Sequence, residues 1–322
     1  MDSAKKPLVL YHARCADGAG AAFAAWCKFG EEAEYRAVLH GDPAPTDEEV
    51  RGRDIYILDF AYPYEDMQRI WRRTMVGGGC DDNLFYVIDH HVTTLEIFKG
   101  TPYPKPPYLI FDNERSGATL AWKYFHGDEP VPEILSYIED KDLWRWKLPE
   151  SREISAALEA RGVRTWHPSE LCARFTTFRD LVGFERDLIS GAVARVFWNV
   201  PRSRLIDEGG AVLRAQNQYV DAIVSVADRV KLYVDNLTDF IWVYAANAPV
   251  LQSEVGAALA EKSKASGEAP VGIVWFRDGS RGNYRVSLRS VDGYDVSRIA
   301  RMFSGGGGHR TAAGFECEKL PW

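Results

Sequence analysis

The chain has 322 residues, enough for two domains with substantial cores. It carries 39 Lys and Arg against 46 Asp and Glu, a formal net charge of −7, which argues against gripping long duplex nucleic acid through a broad basic face but leaves room for a small anion in a local basic cleft. Five cysteines, odd in number and without repeated spacing, argue against a disulfide framework; the segment from Met1 to Lys6 has no secretory apolar run and no later run reaches membrane-spanning length, so the expected setting is cytoplasmic and off the membrane.

In chain order, Leu8–Tyr11 reads as a strand and Gly18–Phe29 as an alanine-rich helix. Tyr35–Leu39 reads as a second strand and Asp54–Leu58 as a third, followed by a helix over Tyr64–Met75. Leu84–Ile88 is the fourth expected strand, with a short helix at Thr93–Phe98; Tyr108–Phe111 is the fifth, followed by a helix over Ser116–Phe125. Nearly continuous apolar strands alternating with helices predict a parallel sheet covered on both faces, the doubly wound α/β arrangement. The pattern from Val131 to Ile189 is mainly helical, and Glu208–Val230 reads as a helix joining two domains. A second module follows: strand Phe240–Tyr244, helix Gln252–Lys262, a polar turn to Pro270, strands Val271–Phe276 and Tyr284–Arg289, and helix Val296–Phe303. The expected organisation is a catalytic domain over 1–190, a helical linker over 191–235, and a smaller α/β domain with a mixed sheet over 236–322.

The chemistry-bearing residues stand where the strands run out. The first strand ends in His12, with Asp17 closing the next turn; the third ends in Asp59; the fourth delivers Asp89, His90 and His91 without a spacer; the fifth ends in Asp112. In an open parallel sheet, ligands bind beyond the carboxyl ends of the strands, so these segments are expected to converge on one edge. Acids packed together resist ionisation unless a cation neutralises them. Carboxylates and imidazoles are the ligand set of Mn²⁺, Fe²⁺ and Zn²⁺. Each residue alone also has a plainer role: Asp17 as a helix N-cap, Asp59 as a turn opener, His90 as a structural histidine. It is their coincidence that points to metal. Glu139-Asp140-Lys141-Asp142 adds a further acidic contributor, with Asp140 the preferred ligand and Asp142 the fallback; alone, such a run reads equally as a solvated helix end.

These residues resemble the DHH phosphoesterase family. The name-giving triplet corresponds to Asp89-His90-His91, the first motif to His12-Ala13-Arg14-Cys15-Ala16-Asp17-Gly18, the second to Asp59 and the fourth to Asp140. The C-terminal part looks like the DHH-associated domain through Tyr284–Ser290 and Gly305-Gly306-Gly307-Gly308-His309. The resemblance implies a dinuclear centre, usually two Mn²⁺, with Mg²⁺, Fe²⁺ or Zn²⁺ as substitutes, in a cleft between the domains. It implies His12 on the first metal, Asp17, His90 and Asp140 on the second, and Asp59 bridging both. His91 would contact the scissile phosphate and Asp89 would orient the histidines. One departure stands out: many members carry an aspartate where this chain has Cys15. Three readings stay open there: a softer thiolate ligand favouring Zn²⁺ or Fe²⁺, a neutral thiol leaving one anionic ligand fewer, or a small buried side chain.

Gly305–Gly308 would let the backbone approach an anion, and His309, Arg310 and Arg289 would add charged donors, so Arg289, Gly306, Gly307, Gly308, His309 and Arg310 are the expected substrate-binding set. A glycine run alone reads as a flexible loop. Trp144, Trp146 and Trp166 offer base-stacking faces or, more simply, packing. The resemblance implies a metal-activated water attacking phosphorus in line. The leading expectation is a phosphodiesterase or phosphatase on short single-stranded oligonucleotides or nucleotide phosphates, akin to short-RNA nucleases and 3′-phosphoadenosine 5′-phosphate phosphatases. An exopolyphosphatase or pyrophosphatase is the alternative, and a nucleotide-sensing binding protein the third. Homodimers occur in the family, though no helix here announces an interface.

Overall fold

In the computed structural model, residues 5–75, 83–101, 106–165, 167–168, 202–234, 239–303 and 305–322 are described. The chain divides into two compact units, Met1–Leu213 and Arg214–Trp322. Among the described residues no helix is long and apolar enough to cross a membrane.

The first unit is built on β1 (Leu8–His12), β2 (Glu34–Val38), β3 (Ile55–Leu58), β4 (Phe85–Asp89) and β5 (Leu109–Phe111), in the order β2-β1-β3-β4-β5. Every pairing is parallel. Between the strands lie α1 (Ala16–Phe29), α2 (Asp47–Val50), α3 (Tyr64–Met75) and α4 (Val92–Phe98); α5 (Gly117–His126), α6 (Glu133–Asp142) and α7 (Ser151–Ala160) follow. Side chains alternate across the sheet. Val9, Tyr11, Leu58 and Ile88 pack with Ala21 and Phe23 of α1, Trp122 of α5 and Leu135 of α6. Leu8, Leu10, Ile57 and Val87 pack on the other face with Val50, Met67, Ile70 and Phe98. Both faces are therefore dry, which is why these strands read as unbroken apolar runs. The small residues of α1 admit α5 closely: a Cβ on Gly20 would stand 2.8 Å from Ala118 Cβ.

The helix α8 (Arg202–Ser225) leads from the first unit into the second. The second unit contains β6 (Asp228–Val234), β7 (Asp239–Asn247), α9 (Gln252–Ala265), β8 (Val271–Arg277), β9 (Tyr284–Ser290), α10 (Ser297–Ala300), β10 (Gly307–His309) and β11 (Ala312–Cys317). Its sheet runs β10-β11-β9-β8-β7-β6, mixed because β7 and β8 are parallel while the other pairs are antiparallel. Glycines bring α9 against this sheet, since a Cβ on Gly272 would stand 2.2 Å from Gly256 O.

The doubly wound α/β sheet and the smaller mixed α/β sheet agree with the sequence expectation. Several elements differ. The linker helix stops at Ser225 rather than Val230, and the chain turns into β6. The segment Asp228–Val234 alternates polar and apolar with Leu232 fully buried, a period-2 pattern that the preceding helical run obscures. The glycine run ends in strand β10, which pairs with the unanticipated β11. The short α2 is fixed by a capping box between Thr46 and Glu49. The helical expectation beyond residue 168 and Trp166 lie outside the described residues.

Candidate metal centre

Parallel neighbours β1, β3 and β4 end on one edge of the sheet. His12 is the last residue of β1, Asp59 follows β3, and Asp89 closes β4 ahead of His90 and His91. Asp59 holds a left-handed backbone, φ 65°. An L side chain in that region costs about 1–2 kcal/mol, so the turn is retained against its own preference. Strand β5 ends differently: Asp112 Oδ1 accepts from Glu114 N at 2.9 Å and caps a turn.

The edge residues meet. His90 Nε2 lies 3.5 Å from Asp17 Oδ2, 3.3 Å from Asp59 Oδ1 and 3.5 Å from Asp142 Oδ2. His12 Nδ1 lies 3.3 Å from Asp59 Oδ2. His12, Cys15 and Asp59 offer an imidazole nitrogen, a sulfur and a carboxylate oxygen all within 4.8 Å of one another, as do the ligand atoms of Asp17, His90 and Asp142. Asp59 thus belongs to both groups of contacts. Its Oδ1 is buried with no hydrogen bond of acceptable geometry among the described residues.

The supports of these groups are specific. Asp17 is not the N-cap of α1; Cys15 occupies that position. The Asp17 carboxylate instead accepts from Gly117 N at 2.6 Å and Ala118 N at 2.9 Å, at the N-terminus of α5. Those amides are open to an anion, and the helix dipole favours it. Asp89 has a ligand atom within 4.8 Å of those of Asp59, His90 and His91, but local donors occupy its carboxylate. Its Oδ1 accepts from His90 N at 2.8 Å and from His91 Nδ1 at 2.7 Å, and its Oδ2 accepts from Thr94 Oγ1. This pins the His91 ring at the start of α4.

Asp140, the expected ligand, points away from this group, and Asp142, the fallback, reaches it. The Asp140 carboxylate accepts from Lys147 N at 3.0 Å, Leu148 N at 3.3 Å and Ser151 Oγ at 2.6 Å. It ties down the segment between α6 and α7, while Asp142 reaches His90. Residues two positions apart on a helix differ in direction by about 200°, so when Asp142 faces the edge Asp140 faces away. Glu139 is likewise occupied: its Oε2 accepts from Ser116 N at 3.1 Å.

Sequence reasoning also missed Gly117 and His40. A Cβ on Gly117 would stand 2.8 Å from both Asp59 Cβ and Asp59 Oδ1, and 3.0 Å from Asp17 Oδ2. Only glycine admits the acids so closely. The dipeptide Ser116-Gly117 opening a helix was the available signal. The His40 ring stands 5.0 Å from that of His12, and only the adjacency of β2 to β1 brings it there.

The charges are strained without a cation. Burial, then repulsion from Asp59 and Asp142, raises the Asp17 carboxyl well above its usual range. Burial likewise raises Asp142, with His90 opposing and Asp59 adding to the rise. Burial also acts to raise Asp59, but the neighbouring imidazoles of His12, His90 and His91 outweigh it and hold that carboxyl well below its usual range. His90 is pushed up to about 10: burial opposes its charge, and Asp59, Asp17 and Asp142 overcome that. Burial, then Asp59, Asp142 and Asp17, raises the Cys15 thiol.

The donor set fits divalent cations. Ligands about 2.1 Å from one ion stand about 3.0 Å apart in an octahedron and about 3.4 Å apart in a tetrahedron. The separations of 3.3–3.5 Å about His90 Nε2 fall near these values. Asp59 Oδ1 makes no hydrogen bond of acceptable geometry among the described residues although His90 Nε2 is 3.3 Å away, and a cation would satisfy both.

In the second unit, Arg289 donates to Ser253 Oγ at 2.8 Å and to Leu288 O at 3.0 Å. His309, Ala312 and Arg289 share one row across β10, β11 and β9. Arg310 Nε donates to Gly293 O at 2.8 Å. The glycines have packing reasons of their own. A Cβ on Gly306 would meet Ala300 O at 1.9 Å, and one on Gly308, at φ 133°, would meet Ala312 O at 2.6 Å. Gly307 pairs with Gly314. Trp144 and Trp146 pack edge to face with centroids 5.0 Å apart, and the Arg152 guanidinium lies 4.5 Å over Trp146.

Residues 242–321 match the family model of the DHHA1 domain. Over 325 residues the chain is 28% identical to an uncharacterized protein of Acanthamoeba polyphaga mimivirus, covering 95% of this chain and 66% of that relative. The chain thus spans just under two thirds of the curated relative it matches. Among solved structures it is similar to the pGpG-specific phosphodiesterase PggH of Vibrio cholerae, at 11% identity and TM-score 0.44 over 97% of this chain and 93% of that one. RecJ of Thermus thermophilus in complex with Mn²⁺ is similar at 14% identity and TM-score 0.42, over 97% and 50%. An exopolyphosphatase-related protein of Bacteroides fragilis is similar at 15% identity and TM-score 0.39, over 99% and 89%.

Proposed function

We propose that this chain, whose residues 242–321 match the DHHA1 domain, hydrolyses phosphoester bonds in short oligonucleotides or nucleotide phosphates with the help of two divalent ions. Mn²⁺ is the first candidate. The observation that carries the reading is the gathering of Asp17, Asp59 and Asp142 around His90 Nε2, with Asp59 shared with His12. His12 and Asp59 would hold one ion; Asp17, Asp59, His90 and Asp142 would hold the other. Asp142 takes the role first expected of Asp140. Bound divalent cations would neutralise the acids, polarise a phosphoryl group and make water acidic near neutral pH.

The remaining roles belong to the protein's own groups. Asp89 orients the His91 ring through Nδ1, and His91 would contact a phosphoryl oxygen. His91 is pushed up to about 9, because Asp89 outweighs the burial that opposes its charge; a protonated imidazole there favours a phosphate dianion. Gly117 and Ala118 keep Asp17 in place through two amide bonds. In the second unit, Arg289, Gly306, Gly307, Gly308, His309 and Arg310 remain the proposed substrate-binding set, with Arg289 braced by Ser253.

The test is product release, with added Mn²⁺, from a short RNA, 3′-phosphoadenosine 5′-phosphate, a linear dinucleotide and polyphosphate, with the Asp59→Ala protein alongside. Nucleotide cleavage absent from Asp59→Ala is the expected result. Cleavage of polyphosphate alone would move the substrate to the second class. Wild-type-like turnover by Asp59→Ala, or silence across the panel, would overturn the reading, and silence would favour a nucleotide-binding protein.

A further inference from the structure

Cys15 opens α1 beside His12 and Asp59. It sits at the N-cap of α1 with extended dihedrals, φ −123° and ψ 136°, yet its side chain makes no cap hydrogen bond. Capping is normally the work of an oxygen from Ser, Thr, Asp or Asn. A cysteine that merely fills space is buried among apolar groups. The neighbours of this one are polar. It lies with His12 and Asp59, its sulfur within 4.8 Å of a ring nitrogen and a carboxylate oxygen. Asp59 is 1% exposed; its Oδ2 lies 3.3 Å from His12 Nδ1, while its Oδ1, without a hydrogen bond of acceptable geometry among the described residues, lies 3.3 Å from His90 Nε2. The three side chains present one soft, one intermediate and one hard donor around a common space.

We infer that Cys15 ligates the ion held by His12 and Asp59, making this position a thiolate-bearing site that takes Zn²⁺, Fe²⁺ or Co²⁺ in preference to Mn²⁺ or Mg²⁺. The softness of sulfur carries the preference: thiolate selects borderline and soft ions, while carboxylate and water suit Mg²⁺ and Mn²⁺. The other position, formed by Asp17, His90 and Asp142, has no sulfur, so the two ions need not be the same element. The inference rests on the two-ion reading above and adds to it the identity of the donor and of the preferred metal.

The experiment uses the full chain, stripped of metal with a chelator and reloaded with Zn²⁺, Co²⁺ or Mn²⁺, singly and in competition. Metal stoichiometry and X-ray absorption are measured for wild type, Cys15→Ser and Cys15→Asp. Aspartate is itself a good N-cap, so Cys15→Asp keeps the start of α1. The expected result for wild type is two ions per chain and a sulfur shell at about 2.3 Å from zinc, with a thiolate-to-cobalt charge-transfer band in the Co²⁺ form. Both variants lose the sulfur signal, and Cys15→Asp retains two ions while shifting preference from Zn²⁺ toward Mn²⁺. Two bound ions with only nitrogen and oxygen ligands in wild type would overturn this inference and leave the two-ion reading standing. Sulfur ligation that persists in both variants would overturn it equally, by assigning the sulfur to another cysteine. No bound metal in any protein would overturn both.

Discussion

Replacing Asp140 and replacing Asp142 should have opposite consequences, although the residues are two apart on one helix. Asp140→Ala removes the acceptor of Lys147 N, Leu148 N and Ser151 Oγ. A buried donor left unpaired costs about 1–3 kcal/mol. Lys147 is exposed and its amide is rehydrated, so the total should be about 3 kcal/mol. At about 2–4 °C per kcal/mol for a unit of this size, the metal-free protein should melt about 6–12 °C lower. Asp142 has a side chain 26% exposed and stands among other acids. Its loss relieves repulsion, so the Asp142→Ala protein should melt within about 2 °C of wild type without metal. With Mn²⁺ at a hundred times its dissociation constant, binding should add about 2.7 kcal/mol, or about 5–11 °C. That increment should survive in Asp140→Ala and shrink or vanish in Asp142→Ala. Differential scanning fluorimetry with and without Mn²⁺ reads all four numbers. A metal increment lost in Asp140→Ala and kept in Asp142→Ala would refute the helical-phase argument and restore Asp140 as the ligand.

Other outcomes follow from the same geometry. Asp89→Asn should leave both ions bound but lower turnover by about 10–100-fold, because the carboxylate that orients His91 acts through it; unchanged turnover would remove Asp89 from the site. Gly117→Ala introduces a methyl 2.8 Å from Asp59, an overpacking of about 1–3 kcal/mol that should also weaken metal binding; isothermal titration with native-like affinity would show that the α5 terminus yields. In metal-free protein the His91–Asp89 pair has a definite pH window. The histidine is raised to about 9, so its stabilisation is full below the unfolded value of about 6.5 and lost as pH rises through its folded value. Urea unfolding of wild type minus Asp89→Asn between these limits should show the difference falling with pH, and a constant difference would contradict the pairing. Gly20→Val should destabilise the α1–α5 contact by at least about 1–3 kcal/mol, and a neutral effect would mean that the helices separate at little cost.

Much of the site was legible because of a rule about topology. Parallel strands with dry faces announce themselves as apolar runs, and the carboxyl ends of adjacent parallel strands must open on one edge. His12, Asp59 and the triplet Asp89-His90-His91 therefore belonged together before any coordinate was known. Asp17 was legible as a member of the group, though its partners at the start of α5, a hundred residues away in sequence, were not.

What the chain could not disclose was direction. The amino-acid sequence by itself determined the alternation of strand and helix, the buried apolar faces and the places where acids and imidazoles interrupt them. Tertiary structure alone decided that Asp142 rather than Asp140 faces His90, since the rotation of α6 is set by packing of Ile134, Leu135 and Ile138 against the core. It also decided that Gly117 lies against two carboxylates and that His40 joins His12. Periodicity gives the spacing of side chains along an element, whereas which spacing meets which neighbour depends on how elements separated by tens of residues come to rest on one another.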